Sequence, residues 1–368
     1  MDQKSEKMLK ELSPRKIVIP ILVGLAVMVY LFYSSSKDIS AEDFEKIKEN
    51  IINVNIWWVI FAVLVLFLRD FGYMYRIRNL THKHLNWVAS FYVIILWEFA
   101  SAVTPSVVGG TAVAVFILNK EKIPFGKSIA YVMLTAVLDN LFFVVASTLV
   151  ILFMGTDIFP DNNHSMMLMG YQLNLEQIFL VSVSLIAIYT LFMGGALFFA
   201  PKAFKRILIG LTSLPFLTRW RESAVQSGND MIIASEQLRG QKISYWLKAV
   251  ISTLVIWSAR YLMLNCLINA FLHVDLTQGN WDDWYQQAII FARQIIMWIV
   301  MLISPTPGSS GTAEYFFQSF FDEFFTAPGL VLVVALFWRL FTYYAYLIFG
   351  AIVLPNWVKR VFYKKRTS

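Results

Sequence analysis

The sequence is poor in the residues that carry most protein chemistry. It has a single cysteine, Cys266, inside an apolar run, so no intrachain disulfide can form and the redox compartment is not revealed. Its four histidines (His82, His84, His164 and His273) are scattered. His82 and His84 flank Lys83 in a short polar stretch that reads as a solvated edge, so no metal site is expected. There is no glycine-rich phosphate loop and no nucleotide-binding segment, which leaves no energy-coupling domain and no cofactor to expect. Ser309 and Ser310 stand between glycines with no histidine base nearby, so an enzyme is not expected either. Charged residues make up only 15% of the chain, and no polar stretch is long enough for a folded domain outside a membrane.

What is present is apolar. Of 368 residues, 58% are hydrophobic and the mean hydropathy is +0.61, which defines an integral membrane protein. The formal charge of +7 does not call for nucleic acid. The basic residues flank apolar segments, where they set orientation and meet anionic lipid. Aromatic residues reach 16%, and Trp57, Trp58, Trp281, Trp284 and Trp357 are placed at membrane interfaces as a belt.

The hydropathy pattern predicts an all-α fold in one transmembrane domain, 1–368. Six full spans are expected, at 17–33, 51–68, 128–154, 178–200, 246–273 and 330–354. The first could instead be a cleaved signal peptide; its length favours an uncleaved span. Arg69, Arg76, Arg78 and Lys83 read as a cytoplasmic cluster ending the second span. The segment 201–244 reads as a basic cytoplasmic loop, its first part suited either to the membrane surface or to solvent. The glycine pair Gly194-Gly195 suggests close helix packing. Loop charges place both termini in the cytoplasm.

Two further apolar segments, about 87–118 and about 288–321, are broken by echoing motifs. The first is Thr104-Pro105-Ser106-Val107-Val108-Gly109-Gly110-Thr111-Ala112; the second is Ser304-Pro305-Thr306-Pro307-Gly308-Ser309-Ser310-Gly311-Thr312-Ala313-Glu314. Proline and glycine break helices, and broken backbone at membrane depth is tolerated only inside protein or along a wet cavity. The flanking charges put both ends of the first segment in the cytoplasm and both ends of the second outside. Each is therefore expected to be a re-entrant hairpin, in inverted repeats 17–154 and 178–354. Spacing agrees: Gly110 to Asp139 is 29 residues, Gly311 to Arg339 is 28.

Charges inside apolar spans are costly and mark candidate sites. Arg260, Arg293 and Arg339 are read as phosphate-binding, because the guanidinium fork holds phosphate bidentately and keeps its charge. Glu98, Asp139 and Glu314 are read as charge-balancing or proton-coupling. Pro105, Gly109, Gly110 and Thr111, with Pro307, Gly308, Gly311 and Thr312, form the hairpin tips, where helix N-termini would add N–H donors for an anion. Structural ion pairing is the competing reading for all six charges.

At these tips the sequence resembles the lysylphosphatidylglycerol synthase transmembrane family, the flippase-like domain also found at the front of the multiple peptide resistance factor. The residues that carry the resemblance are Thr104-Pro105 with Gly109-Gly110-Thr111-Ala112, Asp139-Asn140, and Pro305-Thr306-Pro307-Gly308 with Gly311 and Glu314. Val113, Ala114 and Val115 stand where relatives carry an arginine, and Ser309-Ser310 where a glycine is expected. The resemblance implies a lipid flippase of the bacterial cytoplasmic (inner) membrane. Its partners would be membrane lipids, an anionic phospholipid or a polyprenyl-phosphate-linked substrate, and a homodimer stays open. No transferase domain is expected, so a synthase would be a separate protein. The alternatives are an ion-coupled transporter of a small soluble anion and a membrane scaffold for a lipid-modifying enzyme.

Overall fold

A computed structural model describes residues 29–30, 33, 41–104, 106–160, 166–168, 171–213, 218, 221–272, 281–301, 306, 309–325, 327 and 329–363. Apart from an antiparallel pair of three-residue strands, Met166–Leu168 and Tyr171–Leu173, the regular structure among the described residues is helical. In chain order the helices are α1 (Ala41–Ile52), α2 (Ile56–Leu80), α3 (Trp87–Val103), α4 (Ser106–Lys120), α5 (Phe125–Met154) and α6 (Leu175–Gly194). They continue as α7 (Pro201–Leu211), α8 (Arg221–Arg239), α9 (Ile243–Leu272), α10 (Trp281–Met301), α11 (Thr312–Phe321), α12 (Leu330–Arg339) and α13 (Ala345–Val358). A π-helical turn, Leu340–Tyr344, joins the last two into one rod.

Among the described residues, five helices are long and apolar enough to cross a membrane: α2, α5, α6 with its continuation to Phe199, α9, and the α12–α13 rod. The expected span 17–33 falls almost wholly outside the described residues. Large apolar side chains point outward along these helices; Phe153 is 82% exposed and Phe199 86%, which a protein surrounded by water would avoid on this scale.

α9 lies along α2 at the centre of the bundle, and α5 packs against both α6 and α8. One buried apolar cluster surrounds α9 to α12, and a second surrounds α3, α4, α5 and α13. Helices α3 and α4 lie against each other as a hairpin, and Gly110 is what lets them touch: a Cβ there would sit 2.2 Å from the Ser101 hydroxyl oxygen.

Four expectations change. Arg69 and Arg76 do not end a span in the cytoplasm: α2 runs through them, and both are buried on its inner face beside carboxylates. Segment 201–244 is mostly helix rather than loop, and α8 buries Ala224, Ser227 and Met231 against its neighbours. Gly195 has open space around its Cα, so the glycine pair does not serve close packing; α6 passes there into a π-helical turn, Gly195–Phe199. Trp357 is fully buried and donates to Glu121 over 2.8 Å, so it is no belt residue.

Candidate functional site

A cavity of about 310 Å³ sits where α2, α3, α5, α9, α10 and α12 converge. Its polar lining includes Glu98 on α3, Thr111 on α4, Asp139 on α5, Arg260 on α9 and Arg339 on α12. The two broken motifs meet at one wall. The Ser310 hydroxyl lies 3.3 Å from the Tyr343 hydroxyl, which reaches 3.4 Å to the carbonyl of Ala102 in the first hairpin.

Three buried charge clusters surround the cavity. Arg76 grips Asp139, with Nη2 3.1 Å from Oδ2, and also donates to Thr253 at 3.0 Å. Trp257 Nε1 donates to the same aspartate over 2.8 Å. Arg69 meets Glu98 at 2.6 Å and the Tyr346 hydroxyl at 2.7 Å, and that hydroxyl donates to Asp70 at 2.8 Å. Arg339 Nε lies 2.9 Å from Glu314 Oε1, its Nη2 lies 3.3 Å from Ser310 Oγ, and its guanidinium sits 3.9 Å from the centre of the Tyr343 ring. Carboxylate–guanidinium contacts of this kind let charge persist away from bulk water.

Arg260 is different. No carboxylate lies within 4 Å of it and no hydrogen bond holds it among the described residues. Its guanidinium instead stacks 4.4 Å from the Trp298 ring and 5.2 Å from that of Trp257. Indole faces hold a cation by their quadrupole and leave its N–H edge free for an anion.

The other expected site residues are distributed as follows. Gly110 packs on Ser101 rather than lining the cavity. Glu314 is fully buried behind Arg339, and Gly311 and Thr312 begin α11 beside it. Gly109 lies within α4, while Pro105, Pro307 and Gly308 lie outside the described residues. Arg293 does not join Arg260 and Arg339: it reaches Glu323 at 2.7 Å and the Phe320 carbonyl at 2.9 Å. That places it near Asp157, beyond the far end of α5. There Arg293 meets the 3₁₀ turn Asp322–Phe324, whose Glu323 neutralises it.

The N-terminus of α11 is also not an open anion cradle. Gly311 holds φ of 87°, and its N–H donates to Glu314 Oε2 at 2.6 Å. The helix is thus capped by its own carboxylate, which satisfies the first orphan donor.

Reasoning from sequence missed Arg69, Asp70 and Arg76. Their signal was available. Arg69 and Arg76 are seven residues apart, two helical turns on one face, and Phe71, Tyr73 and Ile77 continue the apolar pattern between and beyond them.

Outward apolar helices around a set of buried ion pairs, with a central cavity lined by apolar and charged side chains, define a multi-pass membrane protein. The chain belongs to the family described as the lysylphosphatidylglycerol synthase TM region, whose pattern matches residues 17–350. It is also 25% identical over 368 residues to a UPF0104 membrane protein of Archaeoglobus fulgidus, an alignment that takes in 95% of this chain and 100% of that one. No solved structure matches the chain. Family and architecture together make it a flippase-like membrane transporter rather than an enzyme.

Proposed function

We propose that this protein moves a phosphate-bearing lipid across the bacterial cytoplasmic membrane, either an anionic phospholipid or a polyprenyl-phosphate-linked precursor. The headgroup enters the central cavity and the acyl chains stay in the bilayer. The observation that carries this reading is Arg260: the other lining guanidiniums, Arg76 and Arg339, touch carboxylates, whereas this one stacks on indole rings and has Glu98 and Asp70 only at longer range. An anion is the missing partner, and the cavity volume suits a headgroup-sized ligand. Arg339 and Thr111 supply further contacts, with Glu98, Asp139 and Glu314 keeping the empty site near neutral.

In this reading α3–α4 and α10–α11 are re-entrant hairpins dipping from opposite faces, within the inverted repeats 17–154 and 178–354 and alongside six spans. The lengths of three of the four arms support it. At 1.5 Å per residue the 17 residues of α3 extend about 26 Å, the 15 of α4 about 23 Å and the 10 of α11 about 15 Å, short of a hydrocarbon core of roughly 30 Å, whereas the 21 of α10 reach about 32 Å.

The test is lipid translocation in reconstituted vesicles, with labelled phosphatidylglycerol and labelled polyprenyl phosphate in separate arms and a soluble organic phosphate in a third. Wild type should move one of the lipids. Arg260→Gln should lower that rate at least about tenfold, as expected when a charge-assisted phosphate contact is lost. Equal rates for the two proteins, or transport of the soluble compound alone, would sink the proposal.

A further inference from the structure

A second cavity, of about 550 Å³, opens beyond the end of α2, away from the first. Three separate parts of the chain build it. The α2–α3 turn supplies His82, Lys83 and His84; the α4–α5 turn and the start of α5 supply Lys127 and Tyr131; and the end of α8 supplies Gln237 and Gln241. No carboxylate lines it, and no residue lines both cavities.

Three observations indicate that it is built for a ligand. First, neither Lys83 nor Lys127 has a carboxylate within 4 Å among the described residues. Second, Tyr131 is 6% exposed and faces this space, yet its hydroxyl has no partner among the described residues. The ring is buried but the hydroxyl is not sealed off from the pocket, so it stands ready to donate to a bound acceptor. Third, His82 and Lys83 both sit in left-handed backbone, with φ of 53° and 62°. Each such non-glycine residue costs on the order of 1–2 kcal/mol. Glycine would remove that strain but also the imidazole and the ammonium that it presents to the pocket.

The donor set selects the ligand. Two ammoniums, two imidazoles, a phenol and two amides converge with no opposing negative charge. A ligand with several acceptor oxygens and more than one negative charge uses them best. Among the described residues no group of three metal-ligating side chains occurs, so the imidazoles here do not report a metal. Burial and the nearby Lys127 hold His82 below its ordinary value, a condition that an anion between them relieves.

We propose that this pocket is a phosphate-binding site for a phosphomonoester or diphosphate group, carried either by a lipid or by a soluble compound. It shares no residue with the central cavity and does not depend on the reading of Arg260. Its position gives it a use: Tyr131 is one turn, about 6 Å, from Thr135, which lines the central cavity. The site thus stands beside the transport path, where it can collect an anionic group.

The test uses the full chain in phosphatidylcholine nanodiscs, titrated with inorganic pyrophosphate by calorimetry, and a parallel set of nanodiscs containing phosphatidic acid. Wild type should bind pyrophosphate. Lys83→Gln with Lys127→Gln should weaken binding at least about tenfold, and Tyr131→Phe about threefold to tenfold. In an Arg260→Gln background, which removes the central cavity's own anion contact, the component of binding that depends on Lys83 and Lys127 should persist. If phosphatidic acid abolishes the pyrophosphate signal, the natural source is a lipid headgroup; if it does not compete, the source is soluble. Because Lys83 is exposed, Lys83→Gln alone serves if the double variant is unstable. No binding by wild type, binding unaltered in the lysine variants, or no lysine-dependent binding left in the Arg260→Gln background each overturns the proposal.

Discussion

Arg76 and Asp139 close the contact between α2 and α5 through two oxygen–nitrogen contacts, and Trp257 from α9 completes the aspartate's shell. Three helices therefore meet on one carboxylate. Asp139→Asn leaves the Arg76 charge buried with its partner weakened. Loss of one member of a fully buried pair costs roughly 3–5 kcal/mol. Asp139 borders a cavity that water can reach, so about 2–3 kcal/mol is expected here. Chemical unfolding in detergent micelles measures it, and pairing the change with Arg76→Met should recover part of the loss.

Trp298 is the closest platform for Arg260. Trp298→Leu keeps an apolar wall but removes the ring face, worth about 0.5–2 kcal/mol of cation positioning. Translocation should fall several-fold while Arg260→Gln in the same background adds little. Additive losses in that double variant would show that the two residues act separately.

Gly110 is required by close approach. Gly110→Val would force its side chain into Ser101, whose Cα would lie 3.1 Å from even the first added carbon. The expected cost is about 1–3 kcal/mol, through α3 and α4 being pushed apart. Engineered cysteines, one on each arm, should crosslink in the parent and more slowly in the variant.

Gly311 is required by backbone conformation, because its φ of 87° lies where side chains are strained. Gly311→Ala should cost about 1–2 kcal/mol and loosen the start of α11. Hydrogen exchange at residues 312–315 should quicken while that of α5 stays unchanged.

His82 predicts a pH effect. It stacks on Tyr245 and faces Lys127 across the pocket, with Lys83 and His84 beside it in the turn. Because its folded pKa is lowered, the unfolded chain binds the proton more readily. Stability is therefore fully present above the unfolded histidine value of about 6.5 and declines as pH falls below it. Thermal unfolding followed between about pH 7.5 and pH 5 should show this slope in wild type and a shallower one in His82→Asn.

The sequence alone determined the membrane class, the family, the presence of ionisable residues deep in apolar helices, and the two interrupted segments. Each is a local matter of hydropathy, proline and glycine placement, or motif. Asp139 and Arg339 were legible as buried because apolar residues continue on both sides of them. Pairing was not legible, because it joins residues far apart in the chain. Arg76 reaches Asp139 63 positions away, and Arg69 reaches Tyr346 277 positions away. Only the packed bundle decided that Arg293 is neutralised by Glu323 while Arg260 is left on indole rings. Only it turned a solvated-looking His-Lys-His stretch into one wall of a pocket. Hydropathy reports how deep a charge lies, but which partner it finds depends on helix rotation and register, and those are settled by packing across the whole fold.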